Sequence, residues 1–170
     1  MKGGRKPVKA DQFDLVYREY FDPVYRYALS LSGDAHTAEE ITQETFFKAM
    51  GALDRFRGES SVKSWLFAIA RNAWISELRR RKAAPLEQAE EAPDAGEALE
   101  EALMNREDGL RIHRLLHDLP EPYREVFTLR TLGQLGFRDI GALFGKSENW
   151  ACVVYHRARA KIKEKMEEKP

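Results

Sequence analysis

The chain is poor in several things at once. It has one cysteine, Cys152, in 170 residues. That excludes an intrachain disulfide and any zinc site built on several cysteines. No apolar run approaches the roughly 20 residues a membrane helix needs. The basic start, MKGGRKPVKA, lacks the apolar stretch of a secretion signal. Net charge is also absent, because 28 basic side chains cancel 28 acidic ones. No overall field therefore draws the chain to nucleic acid or acidic membranes. There is no glycine-rich phosphate loop and no serine-centred nucleophile motif. His36, His113 and His117 stand near no cysteine, and no segment alternates apolar and polar residues with period two. Cys152 and His156 have a spacing a metal could use, but no third ligand accompanies them. These absences predict an all-α protein of the reducing cytoplasm, in which nothing calls for a metal, a cofactor or a small-molecule substrate. The hydrophobic content of 43% is enough for real cores.

The zero net charge hides a pattern. Residues 1–82 carry 15 basic and 11 acidic side chains, and residues 109–170 carry 12 and 8. Between them, residues 83–108 hold nine acidic residues and a single basic one, Arg106. Its segment AAPLEQAEEAPDAGEALEEA has two prolines, one glycine and no aromatic residue. Such a composition buries no core and reads as a solvated acidic linker. The expected organisation is a basic tail (1–10), a helical domain (11–82), the linker (83–108) and a second helical domain (109–170).

Helical spacing dominates both blocks. Phe13, Val16, Tyr17, Tyr20 and Phe21 form one apolar stripe, and Pro23 is expected to end that helix, with Asp22 capping the next. The second helix carries Val24, Tyr27, Ala28 and Leu31 and stops near Gly33. Thr37 and Glu40 have capping-box spacing for a helix through Ile41, Thr45, Ala49 and Leu53. After a polar loop around Gly58, Ser60 or Ser61 is expected to cap a helix with Val62, Leu66, Ile69, Ala73 and Leu78 inward. It ends in Arg79, Arg80, Arg81 and Lys82, which suit the negative end of the helix dipole. Beyond the linker, Leu110, Leu115, Leu116 and Leu119 suggest a helix stopped by Pro120 and Pro122. Tyr123, Val126, Phe127, Leu129 and Leu132 make another, ending at Gly133.

Two surfaces then suggest nucleic acid. A short helix (Phe137, Ile140, Leu143, Phe144), a turn (Gly145, Lys146, Ser147) and a longer basic helix have helix-turn-helix geometry. In the last helix Trp150, Val154, Ala158 and Ile162 face inward. Asn149, Cys152, His156, Arg159 and Lys163 line the opposite stripe with Arg157 beside it, able to meet bases and phosphates. An ordinary amphipathic helix with a solvated basic face fits the same spacing. In the first block, Arg57 and Lys63 flank the third helix's start, and Trp65, Asn72, Ser76 and Arg79 share one side of it. Amide and basic groups beside aromatics can hold an unstacked base and its phosphates.

GDAHTAEEITQETFFKAM (33–50), FRGESSVKSWLFAIARNAWISELRRRK (56–82) and LHDLPEPYREVFTLRTLGQLGFRDIGALFGKSENWACVVYHRARAKI (116–162) resemble regions 2.2, 2.3–2.4 and 4 of the sigma-70 family. The short length resembles its extracytoplasmic-function (group IV) sigma factors, which lack regions 1.1 and 3. The resemblance implies two small helical domains, the sigma region 2 bundle and the region 4 helix-turn-helix. It implies a protein that binds core RNA polymerase, directs it to promoters and helps melt the DNA. Glu40, Gln43, Glu44 and Phe47 would meet the beta-prime clamp helices. Arg57, Lys63, Trp65, Asn72, Ser76, Arg79 and Arg80 would serve the −10 element, with Asn72 capturing a flipped base. The second block would touch the beta flap and read the −35 element through Asn149, Cys152, Val153, His156, Arg157, Arg159 and Lys163. Where many members have Thr-Val-Lys-Ser-Arg, this chain has Trp150-Ala151-Cys152-Val153-Val154. The reading therefore rests −35 affinity on Arg157 and Arg159, with Val153 against a thymine methyl. The linker would mimic RNA phosphates in a basic polymerase channel. An anti-sigma factor is the further partner implied. The residues alone also admit a helix-turn-helix regulator that acts without being a polymerase subunit, and a small enzyme using Cys152 or His156.

Overall fold

A computed structural model describes residues 10–56, 61–83 and 114–168. Arg57, Gly58, Ser60, Leu110, His113, the start of the basic tail and linker residues 84–108 lie outside the described residues. The described ones form α1 (Ala10–Ser32), α2 (Ala35–Ala52), a 3-10 turn (Leu53–Arg55), α3 (Val62–Ala83), α4 (Tyr123–Thr131), α5 (Phe137–Leu143) and α6 (Glu148–Glu167). Residues 114–117 add a helical turn, and no strand occurs among the described residues. The fold is all-α, as expected.

The first helix corrects one expectation. Pro23 does not end it: α1 runs unbroken through the proline for 23 residues. Proline in a helix interior costs on the order of 3 kcal/mol. Packing on both sides of it supplies the offset. Before Pro23, Tyr17 and Phe21 lie against Phe46 of α2 with ring centroids 5.0 and 6.1 Å apart. After it, Val24, Tyr27, Ala28 and Leu29 are fully buried.

The start of α2 is corrected as well. Its cap is Asp34 and not Thr37. The Asp34 carboxylate accepts from the His36 and Thr37 backbone N–H groups at 3.2 Å each, and the Thr37 hydroxyl donates to it at 2.6 Å. Burial opposes ionisation of this carboxyl, but the bonds from Thr37 and His36 outweigh it, and its pKa lies below the ordinary aspartate value. A native pKa below the unfolded one gives stability that is complete above the ordinary aspartate range and is lost as pH falls through the native value. Asp34→Ala is accordingly expected to cost about 1 kcal/mol at neutral pH. Urea unfolding should show that deficit shrinking in acid.

At α3, Ser61 is the cap: its hydroxyl oxygen accepts from the Ser64 backbone N–H at 3.1 Å. The inward face holds Leu66, Phe67, Ala70, Ala73 and Trp74, all buried. Leu78, expected inside, is 38% exposed. The burial stripe ends one turn earlier than the periodicity implied, although α2 still flanks the C-terminal turn, where Arg81 donates from Nη2 to the Thr37 hydroxyl at 2.9 Å.

The second unit follows the sequence closely. Leu116, Leu119, Ala158 and Ile162 form a small core with Leu115, Tyr123 and Phe127. Gly145 turns the chain at φ +65°, a left-handed conformation open to glycine. Gly141 allows the turn to close on α5: a Cβ there would lie 2.6 Å from the Ser147 carbonyl oxygen. Ser147 caps α6 by accepting from the Trp150 N–H at 3.0 Å. The two units are not separate, however. Val126, Leu129, Leu135, Ile140, Ala151 and Val154 belong to one continuous core with the residues of α1, α2 and α3.

Candidate nucleic-acid and partner interfaces

The outer face of α2 is built by helical period. Glu40, Gln43, Glu44 and Phe47 recur every three or four residues and all are exposed. Their inward counterparts, Ile41, Thr42, Thr45 and Phe46, are buried. Thr42 and Thr45 satisfy their hydroxyls on carbonyls one turn back, at 2.7 Å each, so neither disturbs the core. Phe47 is 72% exposed. An exposed ring of this kind makes the face a candidate for a partner's contact. Sequence reasoning missed Leu15, at 66% exposure, and Met50, at 55%. Met50 follows Phe47 by three residues, a spacing that could have found it. Tyr17, expected inside, keeps 41% of its surface exposed although its ring touches Phe46. Neighbours on the same helix lie against these acids: His36 Nε2 is 3.1 Å from Glu40, and Lys48 forms an ion pair with Glu44 at 2.7 Å.

The expected line on α3 is present. Asn72, Ser76 and Arg79 are exposed on one side, and Trp65 is half-buried at its head. Trp65 leans on Phe56, centroids 5.1 Å apart, so its ring supports the line from the loop side. Arg80 has a different neighbour from the one expected. Its guanidinium forms a two-pronged pair with Glu77, both distances 2.9 Å, and Arg81 adds a third contact at 3.1 Å. The bond from Arg80 lowers the Glu77 pKa first, Arg81 assists, and partial burial opposes both. Glu40, Glu44, Ser76, Glu77 and Arg80 line one groove of about 370 Å³ between α2 and α3. The two expected surfaces of the first unit thus adjoin each other. Lys63 departs from them: its Nζ donates to the Gln134 carbonyl of the second unit at 2.7 Å. Arg57 lies outside the described residues.

On α6, Asn149, Val153, His156, Arg157, Arg159 and Lys163 are exposed, while Cys152 is only half so. The helix-turn-helix packing fixes their direction, since Ala151, Val154, Ala158 and Ile162 are buried beneath them. His156 lies against Tyr155 and Phe137, with centroids 5.4 and 6.3 Å away. Arg130 stacks on the other ring of that group, its guanidinium carbon 4.3 Å from the Phe137 centroid. Among the described residues no group of three His, Cys, Asp or Glu side chains is placed to hold a metal ion. No helix among them is long and apolar enough to cross a membrane.

A further polar cluster joins the units. Tyr27 of α1 donates from Oη to Glu125 Oε1 of α4 at 2.8 Å. Arg71 of α3 donates from Nε to the same oxygen at 2.8 Å and from Nη1 to the Leu143 carbonyl at 3.3 Å. Its guanidinium lies 4.2 Å from the Phe144 ring centroid. Burial raises the Glu125 pKa above the ordinary glutamate value, against the pull of Arg71 and Tyr27, and nearby Glu121 adds to the rise. Burial, then Glu125, hold the Tyr27 hydroxyl well above the ordinary tyrosine value. No spacing in the sequence announces this cluster, because Tyr27 and Glu125 are 98 residues apart.

Comparison with known proteins fits this geometry. The sigma-70 region 2 family matches residues 16–84, and the sigma-70 region 4 family matches residues 109–162. The chain is 33% identical over 156 residues to the ECF RNA polymerase sigma factor SigM of Bacillus subtilis, covering 88% of this chain and 92% of that protein. It is 31% identical over 142 residues to the RNA polymerase sigma-H factor of Pseudomonas aeruginosa, covering 77% and 74%. Its fold is similar to that of the sigma factor RpoE of Bartonella quintana, solved in complex with the anti-sigma factor NepR. The TM-score is 0.74 at 24% identity, over 95% of this chain and 100% of that one.

Proposed function

This chain belongs to the extracytoplasmic-function sigma factors of the sigma-70 family, and from that premise we propose how its own residues carry out promoter recognition. The face of Glu40, Gln43, Glu44 and Phe47 docks on the beta-prime clamp helices of core polymerase. Asn72, Ser76 and Arg79, backed by Trp65, take the −10 element, with Asn72 receiving an unstacked base. Arg57 and Lys63 serve the same element in this reading, Lys63 once its Nζ leaves the Gln134 carbonyl. Arg80 joins it only when it leaves Glu77. Asn149, Val153, His156, Arg157, Arg159 and Lys163 serve the −35 element, with Cys152 at the edge of that face, and the second unit also meets the beta flap. The acidic segment 83–108 divides the two domains and runs through a basic polymerase channel. The setting is the cytoplasm, and an anti-sigma factor is the proposed inhibitor.

One observation carries this reading. The same chain exposes an aromatic ring among acids on α2 and a basic face on a helix-turn-helix. A regulator working without polymerase needs only the second of these. Melting requires no covalent chemistry: unstacking a base costs a few kcal/mol, and contacts available only in open DNA offset it. Run-off transcription with purified core polymerase is the test. Initiation at defined starts on genomic templates is expected, and none alongside an active relative would sink the proposal.

The −35 assignment has its own check. A cation on a phosphate contributes through counterion release, so Arg157→Ala should reduce the slope of log binding constant against log salt by about 1. The measurement is binding of a −35 fragment in the presence of polymerase. An unchanged slope and affinity would remove Arg157 from that surface.

A further inference from the structure

Arg79, Arg80, Arg81 and Lys82 follow one another in the last turn of α3. Counted as charges alone, they make a phosphate patch that would hold any strand. Their side chains are arranged otherwise. Glu77, with 14% of its side chain exposed, divides the run. Its Oε2 and Oε1 accept from Nε and Nη2 of Arg80 at 2.9 Å each, and Oε1 also accepts from Nε of Arg81 at 3.1 Å. Arg81 is held twice more. Its Nη2 donates to the Thr37 hydroxyl at 2.9 Å, and its guanidinium carbon lies 5.5 Å from the Trp74 ring centroid. Arg81 is thus built into the joint between α2 and α3. Arg80 is 73% exposed, beside the −10 line, and its hydrogen bonds go to Glu77.

We infer that Glu77 is a specificity-determining residue of the −10 surface: it withholds Arg80 from single strands of arbitrary sequence and yields it to a strand already registered by Asn72. The inference rests on the proposed function for the identity of the strand, not for the clamp itself.

The warrant is a comparison of partners. A two-pronged guanidinium–carboxylate pair is fixed in geometry as well as in charge. A carboxylate as little exposed as Glu77 loses much when its cation departs. The bond from Arg80 holds the Glu77 carboxyl below the ordinary glutamate value, so the clamp stays ionised at neutral pH. Glu40, on the α2 side of the same groove, adds to the field on Arg80. A phosphate at an unfixed position replaces these partners poorly. A phosphate of a strand whose base is already captured arrives at one place, with its ordering cost met by that capture. Discrimination then comes from weakening the wrong partner rather than from strengthening the right one.

The test uses the full chain, with oligothymidylate as the unrelated strand. Fluorescence anisotropy reads binding across a salt series, and circular dichroism reads helicity. One added phosphate contact on a single strand steepens the slope of log binding constant against log salt by about 0.7, so Glu77→Gln should bind about eightfold more tightly at about 50 mM salt. Arg80→Ala in that background should restore native affinity and slope. Glu39→Gln removes an exposed acid of α2 and should change affinity by about twofold at most. No gain in helical Glu77→Gln overturns the inference, and so does a gain that survives loss of Arg80 or is matched by Glu39→Gln. Arg80→Ala alone decides the matter even if Glu77→Gln loses helicity. Native binding of oligothymidylate supports a withheld cation, and a slope shallower by about 0.7 shows a free one and overturns the clamp. In run-off transcription with core polymerase, oligothymidylate should inhibit Glu77→Gln at lower concentration than the native chain; equal inhibition overturns the specificity role. A native chain that never initiates, while Glu77→Gln still gains on oligothymidylate, keeps the clamp and removes the −10 assignment.

Discussion

Phe67→Ala is expected to destabilise the chain by about 3–5 kcal/mol, the range for deleting a fully buried aromatic ring. Phe67 has no exposed surface. Its ring meets that of Tyr27 edge-on, centroids 5.3 Å apart at 76°. Its tip lies 3.1 Å from where a side chain on Gly133 would begin. The cavity would thus open between α1, α3 and the second unit. None of these can move in cheaply, because Tyr27 is tied to Glu125 and the Gly133 N–H is bonded to the Thr128 carbonyl at 3.1 Å. Urea unfolding followed by circular dichroism measures the loss. Leu78→Ala is the control, since that side chain is 38% exposed and its truncation should stay within about 0.5 kcal/mol. Equal losses at the two positions would contradict the packing of α3.

These two positions also show where the sequence was readable. A period of 3.6 names a stripe, and it named Leu66 and Ala73 correctly. It cannot say which positions of the stripe the neighbouring helices cover, and Leu78 is left exposed although Arg81, three residues on, still bonds Thr37 of α2. Pro23 shows the same limit in the other direction. A local rule ends a helix at proline, but the aromatic contacts of Tyr17 and Phe21 with Phe46 on one side, and buried Tyr27 on the other, hold α1 straight through it. The caps at Ser61 and Ser147 and the turn at Gly145 were legible because they depend on a few adjacent residues. Asp34 was hidden by Thr37, whose own hydroxyl turns out to support the true cap.

The surfaces divide along the same line. Exposed stripes on α2, α3 and α6 follow from helical period alone, so their residues could be named in advance. Pairings across the chain could not. Arg80 with Glu77 is local and could have been foreseen from three-residue spacing, but Arg71 with Glu125 depends on how the second unit docks. The acidic composition of 83–108 suggested two blocks joined by a solvated linker. It carried no information on the fit of Val126, Leu129 and Ile140 to the first unit.

Phe47→Ala has the opposite signature to Phe67→Ala. Its ring is 72% exposed, so truncation should leave stability within about 0.5 kcal/mol. Core polymerase binding should weaken about 30-fold, which corresponds to the roughly 2 kcal/mol that marks an interface anchor. The reasoning is one of solvation. A ring of this size in water contributes to binding when a partner covers it, and Met50 and Tyr17 leave further apolar surface exposed on the same unit. Glu40 and Glu44 already lie against His36 and Lys48, so in the proposed interface they would form a polar rim that tunes association rate and salt response more than affinity. Gln43→Ala should accordingly change affinity far less than Phe47→Ala. Fluorescence anisotropy of labelled chain against core polymerase separates the cases. A Phe47→Ala chain that folds and binds as the native one does would move the anchor off α2.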